Sequence, residues 1–455
     1  MTDPMTDDHF SKHHDDFATM TRDDISKIHD DIATMQGGSA TTQAGVDMIQ
    51  TAFAQRIGGL RFGLNTPVYK FERIKQAKRH AVQVNPDMAL IDLGVGEPDA
   101  MADDAVVRVL QDEATKPENR FYADNGILEF KRAAATYMRD VFGVVDLDPE
   151  TEIIPVVGSK SALAMLPAAF IDPDDVVLMP SPGYPVLATS GAYYGGRVVS
   201  LPLHEEHAFL PDFTALSPDD LQQAKLLYLN YPNNPTGAMA SAEFFEQVVD
   251  FARQHSTVVV HDAAYAALVF DGVKPLSFLA APGAKDVGVE LHSLSKSFNM
   301  TGWRIGFMAG NAQIIKAFAA VKDNSDSGQF IPIQKAAAYA LAHPEITRQT
   351  AQKYARRHAL LCRVLALSGF RVQPPGASFF LYTRIPRRVR GGVTFASAAD
   401  FSDYLIREHL ISTVPWDEVG PYVRFSVTYE AATLQDEERV MQAVRDRLER
   451  VTFEF

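Results

Sequence analysis

Lys296 stands in the run Ser293-Leu-Ser295-Lys296-Ser-Phe-Asn-Met-Thr-Gly302-Trp-Arg304-Ile-Gly306. Small hydroxyls precede the lysine by one and three residues, and an arginine follows it by eight. Hydroxyls and a guanidinium converging beside one amine describe a phosphate cradle around a nucleophile. A lysine desolvated beside other cations has a lowered pKa and can form Schiff bases. Gly158-Ser159-Lys160-Ser161 ends a β-type run and opens a helix expected over 162–170. Backbone N–H groups at such a start bind phosphate, although Gly-Ser also makes plain turns and caps. Asn234-Pro235-Thr236-Gly237 follows a further apolar run and by itself reads as a turn. Asp262 closes a run of valines, with Tyr265 three residues on. A carboxylate at a buried strand end needs a cationic partner or strong hydrogen bonds, and a protonated pyridine nitrogen would supply one.

The elements that must position these groups are short β-branched runs alternating with longer helical patterns. Strands are expected at 152–157, 176–179, 225–229, 257–260, 287–291 and 305–308. Strands separated by helices imply a largely parallel, doubly wound α/β sheet. Catalytic groups in such sheets gather at the carboxyl ends of the strands, where each motif lies. After about Ala342 the pattern changes. A long helical stretch, 344–367, leads to runs at 370–372, 379–382 and 422–426, which suggests a smaller α+β domain.

The 455 residues are 46% hydrophobic and 22% charged, proportions that build a buried core and exclude a mostly disordered chain. A net charge of −14 argues against a nucleic-acid binder working through bulk positive charge. Cys362 is the only cysteine, so no intrachain disulfide can form; it reads as a small core residue and a reducing cytoplasm as the default. No apolar run reaches the length of a membrane span, and no signal peptide is visible. Residues 1–50 stand apart as an acidic, flexible extension. In it Ser11-Lys-His-His-Asp-Asp16 recurs as Ser26-Lys-Ile-His-Asp-Asp31, a solvated face rather than a metal site.

The motif set resembles the class I and II aminotransferases, the fold-type I enzymes that use pyridoxal 5'-phosphate (PLP), from about Arg56 to the C-terminus. The resemblance implies a large domain (101–342) with a mostly parallel seven-stranded sheet. It also implies a smaller α+β domain built from 51–100 and 343–455, and a homodimer with shared active sites. It implies that Lys296 bonds the cofactor covalently and that Asp262 keeps its ring nitrogen protonated. Asn234 and Tyr265 would hydrogen-bond the ring hydroxyl, and Tyr184, in Ser181-Pro-Gly-Tyr184-Pro185, would stack on the ring. Ser159 and Lys160, through their backbone, and Ser293, Ser295 and Arg304 would hold the phosphate. Arg424, in Tyr422-Val-Arg424-Phe425, matches the arginine that grips the substrate α-carboxylate. Gly96 matches the glycine whose backbone lies beside the substrate.

Tyr69-Lys-Phe71-Glu-Arg-Ile74 resembles an element near the start of LL-diaminopimelate aminotransferases, where the tyrosine contacts substrate. Lys160 matches a lysine of theirs that can reach the substrate's distal end. The stretch from Lys322 to Gln334 also resembles one branch of that group. Glutamate would then donate its amino group to tetrahydrodipicolinate, giving LL-diaminopimelate and 2-oxoglutarate, with Asp124 and Lys160 reading the distal ammonium and carboxylate. Alternatives are an aminotransferase for aspartate, alanine or aromatic amino acids, a PLP-dependent carbon–sulfur lyase, and a non-catalytic PLP-sensing regulator. Three departures stand out. The family's tyrosine for the neighbouring subunit's phosphate falls on Phe121, with Tyr122 displaced by one. The counterpart of a substrate-binding asparagine falls near Ile331. The loop before Arg424 reads Val419-Gly-Pro-Tyr422.

Overall fold

A computed structural model describes residues 48–64, 70–270 and 272–455. The acidic repeat and Tyr69 lie outside the described residues. The chain divides into two units after Thr66. In the first, helix Met48–Ala52 is followed by 3-10 turns at Gln55–Ile57 and Gly59–Arg61. The Gln50 amide donates to the carbonyls of Leu60 and Phe62, both at 2.8 Å, and the Phe53 and Phe62 rings meet at 4.6 Å.

The second unit opens with α1 (Lys70–Val84), whose Ala81 packs on Ile406 and Leu410. Its main sheet comprises β1 (Ile153–Val156), β2 (Val176–Ser181), β3 (Arg197–Pro202), β4 (Ala224–Leu229), β5 (Val258–Asp262), β6 (Gly288–Ser293) and β7 (Gly306–Gly310). The spatial order is β1-β7-β6-β5-β4-β2-β3. Seven strands are thus present, and only β7 runs against its neighbours. The inner strands are near-continuous apolar runs because helices cover both faces. The strand that periodicity did not pick out is β3. It lies at an edge, and most of its side chains are exposed, so it lacks such a run.

Helix α2 (Ser159–Met165) starts three residues earlier than expected and tightens into a 3-10 turn at Leu166–Ala169, where Pro167 interrupts the α pattern. The long helix α3 (Glu345–Leu367) buries a stripe at helical spacing, including Tyr354, Arg357, His358, Leu361, Cys362 and Leu365. Burial pushes the Cys362 thiol up to about 11, as suits a core residue. Beside α3 lie β8 (Phe380–Arg384), α4 (Ala398–His409), β9 (Val414–Trp416), β10 (Tyr422–Ser426) and α5 (Leu434–Leu448). Strands β9, β10 and β8 form a small antiparallel sheet with β10 central, and β8 and β10 share a second core with α3, α4 and α5. The expected strand at 370–372 does not form. Pro374 and Pro375 follow it closely, and prolines remove ladder donors, so Phe370 is buried from an irregular segment. Among the described residues no helix is long and apolar enough to cross a membrane.

Candidate active site

A cavity of about 520 Å³ opens where the carboxyl ends of the parallel strands meet α1, β8, β9 and β10. Ser159, Lys160, Tyr184, Asn234, Asp262, Tyr265, Ser293, Ser295, Lys296, Arg304, Gly96 and Arg424 all line it. The antiparallel β7 explains how Arg304 joins them. Its amino end lies beside the carboxyl end of β6, with Ser293 opposite Gly306, so the loop from 294 to 305 leaves and re-enters the sheet at one edge.

The Lys296 amine donates to the Gly96 carbonyl at 2.7 Å. Burial pushes its pKa down to about 8; Glu97 opposes the shift, while the charges of Arg304 and Arg424 add to it. An amine held nearer neutrality is a better nucleophile and proton carrier at physiological pH.

Asp262 is 5% exposed. Its Oδ2 accepts from the Tyr228 hydroxyl at 3.2 Å, while Oδ1, also buried, has no partner. Burial pushes the carboxyl up to about 6. On the opposite strand face, Glu290 accepts from Ser277 and the Phe278 amide and pairs with His261 and His292 at 2.8 and 2.5 Å. Burial alone would raise Glu290, but the two histidines outweigh it and hold it well below the usual range. The two buried carboxylates therefore differ: Glu290 is saturated, and Asp262 is left with an orphan oxygen facing the cavity. That orphan suits a protonated ring nitrogen.

The phosphate side is equally specific. Arg304, itself left-handed at φ 56°, donates to Ser295 Oγ at 3.3 Å and to the Thr301 carbonyl at 2.9 Å. Its guanidinium lies against Gly158, at φ 73°, where a Cβ would sit 2.2 Å from a guanidinium nitrogen. Only glycine combines that backbone with that approach. No side chain caps the start of α2, and Ser293 Oγ accepts from the Ser295 amide at 3.2 Å. These groups fit the phosphate of PLP, and the Asp262 orphan fits its ring nitrogen.

Arg424 is 3% exposed, so it is not a surface ion pair. One terminal nitrogen donates to Asn234 Oδ1 at 2.8 Å, the other to the Gly94 carbonyl at 2.9 Å, and the group stacks 4.0 Å over the Phe380 ring. Since Asn234 Oδ1 accepts, its amide nitrogen is the group that can donate to a ring hydroxyl. Tyr265 packs between Phe379 and Phe380 at 5.3 and 5.5 Å, and burial raises its phenol.

Two expected residues are not brought to this chain's cavity. Tyr122 is 84% exposed, and Asp124 turns at φ 24° with its carbonyl held by Lys322 at 2.7 Å. The 121–126 loop carries both away from the lining. The motifs also missed several groups. Asn230 donates to the Asp262 carbonyl at 2.7 Å and accepts from the Asn234 amide at 2.8 Å, tying the turn to β5. Its signal was an amide directly after an apolar strand. Tyr228 was detectable as a lone hydroxyl inside such a strand. Lys78 and Asp92, ion-paired in the cavity wall, left no motif.

Residues 89–444 match the family model for aminotransferase class I and II. An LL-diaminopimelate aminotransferase of Methanocaldococcus jannaschii is 55% identical over 415 residues, 90% of this chain and 99% of that protein. Substrate-bound BacF from Bacillus subtilis superposes with a TM-score of 0.77 at 31% identity, over 89% of this chain and 98% of that one. A probable N-succinyldiaminopimelate aminotransferase from Thermus thermophilus gives 0.74 at 31%, over 83% and 100%.

Proposed function

The chain belongs to the class I and II aminotransferases, PLP-dependent enzymes that exchange an amino group between amino acids and 2-oxo acids, and from that premise we propose that it acts on LL-diaminopimelate. Glutamate and 2-oxoglutarate are the other substrate pair. The observation that carries this reading is Lys160. It lines the same cavity as Lys296 and Arg424, so one cavity offers a reactive amine and separate cations for an α-carboxylate and a distal carboxylate. The M. jannaschii relative, named for this activity, supports it.

Bound PLP supplies an electron sink for negative charge at the substrate Cα. The chain's residues do the rest. Asp262 Oδ1 holds the proton on the ring nitrogen. Asn234 and Tyr265 orient the ring through its hydroxyl, and Tyr184 covers one face. Ser293, Ser295, Arg304 and the backbone of Ser159 and Lys160 anchor the phosphate. Arg424 grips the α-carboxylate as a fork, with Asn234 and Gly94 keeping it in plane. The Lys296 amine, held at the Gly96 carbonyl, would act as the base that takes the substrate Cα proton and as the acid that gives it back. The Lys160 ammonium pairs with the distal carboxylate. As a homodimer, each subunit offers the exposed Tyr122 and Asp124 to the other's cavity, where Asp124 meets the distal ammonium.

The test is a donor and acceptor screen on PLP-loaded protein with LL-diaminopimelate, glutamate, aspartate, alanine and tyrosine. Turnover of LL-diaminopimelate with 2-oxoglutarate, above that of short or aromatic donors, is expected. Preference for aspartate, alanine or tyrosine would leave the family and remove the substrate.

A further inference from the structure

Arg357, at the middle of α3, has no exposed surface. All five of its N–H groups have acceptors. Nε donates to Glu437 Oε1 at 2.9 Å. One terminal nitrogen donates to the carbonyls of Val427 and Tyr429, at 3.0 and 2.9 Å. The other donates to Asp99 Oδ2 at 2.9 Å and the Ala431 carbonyl at 3.1 Å. Asp99 is further held by Lys353 at 2.6 Å, and Glu437 by both nitrogens of an Arg356 fork at 2.7 and 2.9 Å.

Burying a guanidinium carries a desolvation penalty that its partners seldom exceed, so stability alone is a weak reason to have one. Its position suggests another. Apart from Glu437 on α5, the acceptors belong to two segments, the loop 93–99 and the chain leaving β10. Those segments are stitched together by the Ser426 amide on the Leu93 carbonyl at 2.6 Å and by Thr428 Oγ1 on the Val95 carbonyl at 2.8 Å. The first segment supplies the Gly94 carbonyl to Arg424 and the Gly96 carbonyl to Lys296. The second follows Arg424 by three residues.

We propose that Arg357 is a positioning residue for substrate carboxylate binding: through Asp99 and the 427–431 carbonyls it sets where Gly94 and Gly96 hold the cations of Arg424 and Lys296. The proposal rests on the reading of Arg424 as the α-carboxylate fork. A lysine at 357 retains the charge but has three donors and no planar fork. It can satisfy at most three of the five acceptors, so it ties the two segments together less completely.

The experiment compares Arg357→Lys, Asp99→Asn and, as reference, Arg424→Lys in PLP-loaded full-length protein. Calorimetry gives the Kd of glutarate, which has two carboxylates and no amino or oxo group. Thermal midpoints and the cofactor's visible absorption are recorded alongside. In Arg357→Lys and Asp99→Asn the glutarate Kd should weaken about tenfold, equivalent to ~1.4 kcal/mol. KM for glutamate and 2-oxoglutarate should rise together, and the absorption band and PLP retention on dialysis should stay as in the parent. A lowered thermal midpoint with glutarate Kd within twofold of the parent overturns the proposal and makes Arg357 merely structural. If Arg357→Lys does not fold, Asp99→Asn decides by the same criterion. If Arg424→Lys itself binds glutarate normally, the underlying carboxylate reading has failed instead.

Discussion

Replacing Arg424 by lysine removes a defined number of hydrogen bonds. The guanidinium has five N–H donors, of which two are engaged, one with Asn234 and one with the Gly94 carbonyl. Each terminal nitrogen therefore keeps one N–H, and that pair can clamp a carboxylate; the buried Nε has no partner. Lysine has three donors. If two replace the bonds to Asn234 and Gly94, at most one remains for substrate. The net loss is one charge-assisted hydrogen bond, ~1.5–3 kcal/mol, or roughly 10- to 150-fold in kcat/KM. The factor should be similar for every amino-acid and oxo-acid substrate, because all share the α-carboxylate. Arg424→Met should lose about a further decade, since two buried acceptors are then also unpaired. Burial pushes the Arg424 pKa down to about 10, so the group stays charged at neutral pH and the ratio should be flat between about pH 6 and 8. Steady-state kinetics of both half-reactions measure it. Loss confined to one substrate, or an unimpaired Arg424→Lys, would falsify the fork.

Lys296→Ala should abolish transamination and retain PLP only noncovalently; after borohydride reduction, mass spectrometry should find label on the parent's Lys296 and none on the variant. Asp262→Asn should impair turnover far more than folding. In the cofactor-free protein the sign of its pH dependence is fixed. The folded pKa of about 6 lies above the unfolded value of ~3.9, so the buried charge weakens the fold progressively between those values and fully above about pH 6. Urea midpoints should show Asp262→Asn gaining on the parent by on the order of 2–3 kcal/mol between pH 4 and pH 8; a pH-independent difference would show that the carboxylate is not desolvated. Lys160→Gln should keep PLP while LL-diaminopimelate and glutamate lose roughly tenfold or more in kcat/KM, ~1.4 kcal/mol, and alanine, if used, changes little. Equal losses across donors would assign Lys160 to the cofactor.

Much of the site was legible because its chemistry is concentrated in contiguous motifs: the 293–306 run alone places two serines, the lysine and the arginine on one cavity wall. Apart from Asn230 and Tyr228, what escaped has no residue-type signature. The Gly94 carbonyl acts through backbone, which any sequence supplies. Arg357 reads as one more charged position on a long helix, and its five acceptors, three of them carbonyls, become visible only in three dimensions. Periodicity missed β3 because an exposed edge strand has no apolar run, and placed a strand at 370–372 because two apolar residues outweighed the prolines after them. The direction of β7 was also hidden, since a strand's local pattern does not encode its orientation.

That reversed strand leaves the enzyme little slack. The segment carrying Lys296 and Arg304 has both feet on adjacent strands, closed by the Leu294 amide on the Ile305 carbonyl at 3.2 Å, and Gln329 pins the Arg304 carbonyl from outside. Nucleophile and phosphate anchor are thus spaced by one closed loop, whose length cannot change without moving one relative to the other. Insertions there should be far less tolerated than at the β3 edge. A laboratory effort to change substrate preference should therefore leave this loop alone and vary Lys160, the 74–78 face of α1 and the 412–414 segment, which border the cavity without setting that spacing.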